Sequence, residues 1–281
     1  MNLGIHSTTV GDFTVTAIND GLFAPPLDIV TGVEQETAAA TLVGNFRPSP
    51  PVITISAFLV KHPGGLALVD AGSGDKFGPG HGYLVPHLAS LGVSPADIDT
   101  ILLTHVHTDH AGGLTDPNWQ PVFPNAEIVL GTVERDYWLD ETRPVPESQA
   151  RGKALALGSL NAYPNRLRGV TDGGEGLPGV RLLMLPGHTP GHAGWLLSSG
   201  NDSLLIWGDV VHMAGLQFQR PEATVIYDVD PALARASRSR AFDLATTDRI
   251  RVAGQHLDFP TFGHVEKRTE GYGFVADAWL P

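Results

Sequence analysis

The chain has no cysteine among its 281 residues. Disulfides are therefore excluded, and cysteine usage places no constraint on the compartment in which the protein works. A metal site in this chain cannot use thiolate ligands.

Basic residues are also scarce, with 18 Lys and Arg against 30 Asp and Glu and a net charge of −12. This acidity argues against extended phosphate contacts, so a nucleic-acid-processing enzyme is a poor interpretation. The chain has no apolar run of about 20 residues for a membrane helix and no basic start with an apolar core, as a secretory signal would have. We expect a cytoplasmic protein without nucleic-acid or membrane partners.

What the chain does contain is a dense group of potential metal ligands in residues 104–110 (THVHTDH), directly after the apolar run 101–103. Imidazole nitrogen and carboxylate oxygen suit zinc and its first-row neighbours. A lone histidine is most often an ordinary core residue. Three histidines and an aspartate this close together instead predict a transition-metal site.

Three further segments place a potential ligand just after an apolar run. They are residues 180–192, which contain His188, residues 204–209, which end at Asp209, and residues 250–256, which end at His256. The same arrangement at four predicted strand ends strengthens the prediction of a metal site.

In this order the residues resemble the pattern of the metallo-β-lactamase superfamily, over nearly the whole chain. The resemblance implies an α/β fold, the αββα sandwich, and two divalent metal ions, for which we expect Zn²⁺. It also suggests a homodimer. The implied ligands are His105, His107 and His188 for one metal, Asp109, His110 and His256 for the other, and Asp209 as the bridge.

Asp70 follows the apolar run 66–69 and corresponds to an upstream aspartate of the superfamily. Its carboxylate would accept the free N–H of a ligand histidine and so fix the ring. The alternative is a strand-end aspartate that only begins a Gly-rich turn. His192 also recurs in the superfamily, and we expect it to be structural rather than a ligand.

The C-terminal third resembles the methyl parathion hydrolase branch, which also contains lactone and aryl-ester hydrolases. Without cysteine, the Cys-containing second site of many true metallo-β-lactamases cannot be built. Many acyl-homoserine lactonases carry Tyr three residues beyond the bridging aspartate, where this chain has His212. His212 could donate a hydrogen bond to a lactone carbonyl or protonate a leaving oxygen. A packing histidine is the alternative.

The implied reaction is hydrolysis by a metal-bridging hydroxide, with Asp109, Asp209 and His212 as the catalytic residues. Acyl and phosphoryl centres both accept this attack, so a methyl parathion-type phosphotriesterase is the alternative main activity. An alternative of another class is a non-catalytic metal-binding protein on the same fold. Such proteins often lose ligands, whereas all the ligand positions are filled here.

Phe23, Phe77 and Trp138 are predicted to line the substrate pocket with His212, although each aromatic residue could equally be part of the core. No Lys or Arg lies between Leu22 and Phe46, so this stretch offers no cation for an anionic substrate. We therefore favour a small neutral lactone or aryl ester as the substrate.

Length and a 42% hydrophobic content support one domain over residues 1–281. Alternation and turn residues predict strands at 13–18, 52–60 and 66–69, with hairpins at 61–65 and 198–202. Asp230 and Pro231 predict a helix start, and apolar residues at 233, 236, 241 and 244 follow at helical spacing. Residues 140–179 are interpreted as an insertion that forms a lid, a subunit contact or a solvated excursion.

Overall fold

The computed structural model describes residues 4–145 and 147–278. Strands are numbered β1 to β16 and helices α1 to α7 along the chain. The first sheet has the order β1-β2-β4-β5-β6-β7-β8, with strands Ile5–Val10, Phe13–Phe23, Ile53–His62, Gly65–Val69, Thr100–Leu102, Glu127–Gly131 and Leu167–Val170. The second has the order β16-β15-β14-β12-β11-β10-β9, with strands Tyr272–Ala276, Gly263–Lys267, Arg251–Ala253, Asp202–Ile206, Ala193–Ser199, Val180–Met184 and Glu175–Leu177. A small ladder pairs β3 (Val30–Thr31) with β13 (Thr224–Val225).

The helices, α1 to α7 in order, are Gln35–Gly44, Leu84–Ser90, Thr108–Ala111, Thr132–Leu139, Glu147–Asn161, Ala214–Gln217 and Pro231–Thr247. Short 3-10 turns occur at Leu27–Ile29, Pro95–Asp97, Gly112–Leu114 and Gly208–Val210. Within the described residues, no helix is long and apolar enough to span a membrane.

The two sheets pack face to face. Buried residues of the first sheet, such as Phe58, meet residues of the second, such as Trp195, in a shared core. The outer face of the first sheet is covered by α2 and α5, through Leu88 and Leu160. The outer face of the second is covered by α7, through Phe242. The layers are helix, sheet, sheet and helix, which confirms the predicted αββα sandwich.

Parallel pairing places the carboxyl ends of neighbouring strands side by side, and the candidate ligands follow these ends in each sheet. We call this side of each sheet its ligand edge. In the first sheet β5 and β6 are parallel, so Asp70 and His105 follow strands that end side by side. In the second sheet β12 and β14 are parallel, so Asp209 and His256 share its ligand edge. The Ala193 N–H donates to the Thr104 carbonyl over 3.0 Å and joins the two ligand edges.

Both predicted hairpins are present. Strands β4 and β5 pair antiparallel down to His62 opposite Gly65, and β11 and β12 meet at Ser199 opposite Asp202. The start of α7 is as predicted: the Asp230 carboxylate accepts from the Leu233 N–H over 3.0 Å.

The segment 19–21 (NDG) has residues that are typical of a turn, which predicts the end of the strand 13–18 here, but it does not form a turn. Strand β2 continues through it to Phe23, with a shift of register between Asn19 and Gly21. The Asp20 carboxylate accepts from the backbone N–H groups of Ser73 and Leu84 over 2.8 and 2.9 Å. A polar side chain satisfied in this way is compatible with a bulge inside a strand.

Within the predicted insertion at residues 140–179, helix α5 and strands β8 and β9 belong to the sandwich, so the interpretation of these elements as a lid or solvated excursion is wrong. Helix α5 contributes Ala156 and Leu160 to the core of the first sheet, followed by Tyr163. Strand β8 extends the first sheet and β9 extends the second. The apolar residues of this segment are therefore held in core layers.

Candidate metal centre

The first ligand group consists of His105, His107, His188 and Asp209, whose ligand atoms lie within 4.8 Å of one another. His105 Nε2 is 3.1 Å from His107 Nδ1, which is 2.9 Å from His188 Nε2. Three ring nitrogens thus converge on one point, as nitrogen donors around a single ion would.

The second group consists of Asp109, His110 and His256. Asp109 Oδ2 lies 3.5 Å from His110 Nε2 and 3.3 Å from His256 Nε2. Short helix α3 carries Asp109 and His110 from the ligand edge of the first sheet, whereas His256 comes from the loop after β14 in the other sheet.

Asp209 lies between the groups and turns one oxygen toward each. Its Oδ2 is 3.6 Å from His105 Nε2 and 3.1 Å from His188 Nε2. Its Oδ1 is 3.0 Å from His110 Nε2 and 3.2 Å from His256 Nε2. This is the arrangement that a carboxylate bridging two ions requires, and the structure brings all the sequence-predicted ligands together.

The buried donor atoms fit a pair of divalent ions. Although His110 Nε2 and Asp209 Oδ1 are close, both are buried without a hydrogen-bond partner in the described part of the chain. A buried polar atom left unpaired costs about 1–3 kcal/mol, and a bound cation would offset that cost. Imidazoles and carboxylates in two groups around a shared carboxylate suit divalent first-row metals.

In four of the ligand histidines, the ring nitrogen that faces away from the centre has a hydrogen-bond partner, and this contact fixes the ring. The contacts are His110 Nδ1 with Asp70 Oδ2 at 2.7 Å, His188 Nδ1 with Asp228 Oδ1 at 2.8 Å, His256 Nδ1 with the Thr54 carbonyl at 2.7 Å, and His105 Nδ1 with Thr104 Oγ1 at 3.1 Å. These contacts leave Nε2 of the four rings facing the centre.

Asp70 also organises the backbone below the centre. Besides contacting His110, its carboxylate accepts from the Thr104 N–H and hydroxyl over 2.8 and 2.9 Å and from Gln255 Nε2 over 2.6 Å. Its φ of +60° is unusual for a residue with a side chain. The hydrogen bonds hold Asp70 in that conformation, at the position that the sequence predicts.

Two carboxylates of the site were not found by sequence reasoning. Asp228 follows His188 by 40 residues and contacts its ring. Glu134 is fully buried beside the loops that carry His105, His107 and His188. Glu134 does not stand at the end of an apolar run. Asp228 does follow the apolar residues 225–227, a signal that could have found it, but the helix cap at Asp230 already accounts for the local pattern.

The electrostatics of the cluster favour the metal-binding forms of Asp209 and His107. Burial alone would raise the pKa of Asp209, but neighbouring imidazoles, led by His110 and His256, hold it well below its ordinary value. Burial, reinforced by His188, lowers the pKa of His107 to about 3. A carboxylate and a neutral imidazole are the protonation states that bind metal ions. Burial alone would lower the pKa values of His188 and His256, but neighbouring carboxylates, led by Asp209, outweigh it and raise them to about 9 and about 10.

His192 lies outside both groups, as expected. Its Nε2 accepts from the Asp209 N–H over 2.9 Å, and its Nδ1–H donates to the Leu185 carbonyl over 2.8 Å. Burial lowers the pKa of His192 to about 3, which matches an imidazole that accepts at one nitrogen. His192 therefore positions the backbone of Asp209.

His212 lies within the cluster. It is 5% exposed, its Nε2 is 3.2 Å from Asp209 Oδ2, and its ring stacks on His256 with centroids 5.3 Å apart. Neither ring nitrogen has a hydrogen-bond partner among the described residues. Asp209, His212 and His256 form a third set of ligand atoms close enough to hold an ion.

The three predicted aromatic residues divide into two kinds. Phe23 and Phe77 form a pair with centroids 6.2 Å apart, and Phe77 is 40% exposed. Trp138 is buried, its indole N–H donates to Glu134, and its ring lies 5.8 Å from the His107 ring. The structure thus places Trp138 behind His107 rather than on an open pocket wall.

A model of the metallo-beta-lactamase superfamily matches residues 50–256, which is more than half of the chain. The chain belongs to the metallo-beta-lactamase superfamily. Asp70 and all the residues of both ligand groups fall within the matched region.

Comparison with single proteins points to metallo-beta-lactamase-fold hydrolases. An N-acyl homoserine lactonase of Bacillus cereus is 31% identical over 124 residues, which cover 44% of this chain and 42% of that protein. Among the first curated relatives the match spans between 39% and 66% of the relative's length.

Two solved structures match over 100% of both chains. The hydrolase AbOPH of the beta-lactamase superfamily has a TM-score of 0.94 at 27% identity. AidC, described as a dizinc quorum-quenching lactonase and solved with an N-acyl-L-homoserine product, has a TM-score of 0.93 at 25% identity.

Proposed function

We propose that the protein is a dinuclear metal-dependent hydrolase of small neutral esters, with lactones as the favoured substrates. The observation that carries the proposal is Asp209, which turns one oxygen toward each of two histidine-rich ligand groups. The full-length similarity to AidC supports lactones as the substrate class.

Two divalent ions in these groups, for which we propose Zn²⁺, would supply a nucleophile from water near neutral pH and polarise the substrate carbonyl. The chain's own residues fix the geometry of this chemistry. Asp209 sets the spacing of the two groups. Asp109, whose side chain is 19% exposed, is the more open of the two carboxylates in the cluster. It is therefore placed to orient incoming water.

His212 is proposed to act on the substrate oxygen. Its unpaired ring nitrogens lie beside Asp209, so the imidazole is available to donate a hydrogen bond to a carbonyl or a leaving oxygen. We expect His212→Ala to lower kcat on lactones by about 100-fold while the metal content stays unchanged. Unchanged turnover would remove His212 from the reaction, and loss of metal would identify it as a ligand.

A neutral substrate is supported by the acidic charge near the exposed residues of the site. Tyr227 is 40% exposed. Burial raises the pKa of Tyr227, and the charges of Asp109 and Asp28 raise it further. The phenol is therefore a neutral donor close to two carboxylates. Asp28 is not a member of either ligand group, so its negative charge would remain when metal is bound and would disfavour an anionic substrate by repulsion.

The substrate class is tested by kcat/KM of zinc-loaded protein on dihydrocoumarin and on a dialkyl aryl phosphotriester. We expect a ratio well above one for lactone over phosphotriester. A ratio below one would instead place the protein in the methyl parathion hydrolase-like branch as a phosphotriesterase. An ester pair that differs only by a carboxylate tests the neutral pocket, and preference for the anionic member would contradict it.

A homodimer is proposed as the working assembly. Exposed apolar residues at the end of α1 and beyond it, Val43 at 62% and Phe46 at 93%, are the kind of surface that subunit contacts cover. Light scattering of the purified protein tests this proposal, and a monomer at micromolar concentration would refute it.

A further inference from the structure

Glu134, in the first turn of α4, is fully buried and receives four hydrogen bonds on its carboxylate. Each oxygen accepts two of them. The donors are Val106 N–H at 2.9 Å and Trp138 Nε1–H at 2.6 Å on Oε1, and Thr189 Oγ1–H at 2.6 Å and Gly191 N–H at 3.2 Å on Oε2.

These donors lie on the segments that carry the three histidines of the first metal group, or pack against them. Val106 lies between His105 and His107, and Thr189 directly follows His188. The ring of Trp138 packs against His107. One carboxylate therefore contacts all the segments that carry the three imidazoles.

We propose that Glu134 is a positioning residue that holds the loops 104–107 and 188–191 at the spacing that the first metal group needs. It contacts no ligand atom itself and acts through the backbone of the ligand loops. The proposal concerns the metal centre and does not depend on which substrate the protein hydrolyses.

The packing around Gly191 supports the same conclusion independently. A Cβ on Gly191 would lie 2.1 Å from the Glu134 nitrogen and 2.4 Å from its Cα. The loop that carries His188 thus rests directly on the backbone of α4. The loops are also joined by the hydrogen bond from Ala193 to Thr104, so loss of the carboxylate should shift them rather than detach them.

The second metal group has other supports. His110 is held by Asp70 and His256 by the Thr54 carbonyl. None of the four donors to Glu134 in the described structure lies in helix α3, which carries Asp109 and His110, or in the loop that carries His256. A change at Glu134 should therefore affect one group and spare the other.

The chemistry of the carboxylate provides a sharp perturbation. All four partners are donors, and only an ionised carboxylate offers two acceptor oxygens. Glu134→Gln keeps the shape but places an NH₂ group against one pair of donors. Gly191 and Val106 donate through backbone N–H groups, which cannot become acceptors. In either orientation of the amide, its NH₂ group therefore faces a donor with which it cannot pair.

The experiment measures Zn²⁺ affinity by competition with a chelating dye in two backgrounds. His256→Ala weakens the second group and leaves the first complete, whereas His188→Ala does the reverse. We expect Glu134→Gln to weaken Zn²⁺ binding about tenfold or more in the His256→Ala background. In the His188→Ala background the change should stay within about twofold.

Asp20→Asn is the matched control. Asp20 is also a fully buried carboxylate with backbone donors, from Ser73 and Leu84, but it does not contact the ligand loops of the first group in the described structure. It should lower the unfolding temperature without weakening Zn²⁺ at the first group. Equal weakening by Asp20→Asn, or equal weakening in both backgrounds, would overturn the proposal.

Thr189→Val keeps the test decisive should Glu134→Gln fail to fold. It removes one donor to Glu134 and keeps the side-chain shape. We expect a smaller loss of Zn²⁺ affinity, confined to the first group. Unchanged affinity at that group would refute the role of Glu134. Because the readout is Zn²⁺ binding, an absence of lactone hydrolysis would count against the proposed function and not against this inference.

Discussion

Asp228→Asn tests how strongly an outer carboxylate supports the metal centre. The Asp228 side chain is 1% exposed, and its Oδ1 lies 2.8 Å from His188 Nδ1. Its Oδ2 accepts from the Val225 N–H over 3.1 Å. An amide has one acceptor oxygen, so the variant must lose either the contact to the protonated Nδ1 of His188 or the contact to Val225.

The size of the effect follows from this geometry. If the NH₂ group faces His188, the ring must accept at Nδ1 and carry its proton on Nε2, the atom that faces the metal group. Loss of such a support weakens metal binding about 10- to 100-fold, which is roughly 1.4–2.7 kcal/mol. We expect this loss in a Zn²⁺ competition titration.

Asp230→Ala is the control for Asp228→Asn. Asp230 lies two residues further on and caps α7 through the Leu233 N–H. Loss of a cap costs about 1 kcal/mol of folding stability, and the control should leave Zn²⁺ affinity unchanged. The reasoning is refuted by wild-type affinity in Asp228→Asn or by an equal loss in Asp230→Ala.

Three further predictions concern the bridge, the loop packing and the core. Asp209→Ala should abolish hydrolysis and lower the zinc content measured by mass spectrometry, and full activity would contradict the two-metal account. Gly191→Ala should lower the free energy of unfolding by about 1–3 kcal/mol, because its Cβ would meet the Glu134 backbone at 2.1 Å; an unchanged denaturation midpoint would contradict this packing. Tyr163 donates its hydroxyl to the Leu114 carbonyl over 2.7 Å, and burial raises its pKa to about 12 from 10.0. A raised folded-state pKa gives stability that is present below pH 10 and lost as pH rises through 12, so Tyr163→Phe should cost about 1 kcal/mol at neutral pH and flatten that alkaline loss. Identical alkaline profiles in urea denaturation would argue against this role of Tyr163.

The ligand groups could be predicted because each member lies near the end of an apolar run. His105, Asp209 and His256 follow strands whose parallel pairing brings their ends together. Local sequence carries that information. Local sequence does not reveal the supporting carboxylates in the same way. Asp228 and Glu134 act on loops 28 or more residues away, and their partners are set only by the packed fold.

The buried face of α7 shows a similar limit. Helical spacing predicts an apolar face at positions 233, 236, 241 and 244. In the structure Leu233 is 40% exposed, and the buried side of the helix includes Arg238 and Phe242. Arg238 is buried because its guanidinium donates to the carbonyls of Val210, Pro221 and Ala223. Tertiary hydrogen bonds override the apolar pattern at this position.

The edges of the sandwich were missed for the same kind of reason. Strands β8 and β9 are only four and three residues long, too short for alternation to show. They form because an existing strand offers unpaired backbone groups. The role of Trp138 was likewise set by a contact from its indole to Glu134, which residue type alone does not reveal.

The most direct test of the central claim is a zinc titration of lactone hydrolysis, starting from metal-free protein. The account predicts that kcat/KM on a neutral lactone rises until two equivalents of Zn²⁺ are bound per chain, and that Asp209→Ala shows no such rise. Full hydrolysis without metal, or none with two equivalents bound, would contradict it.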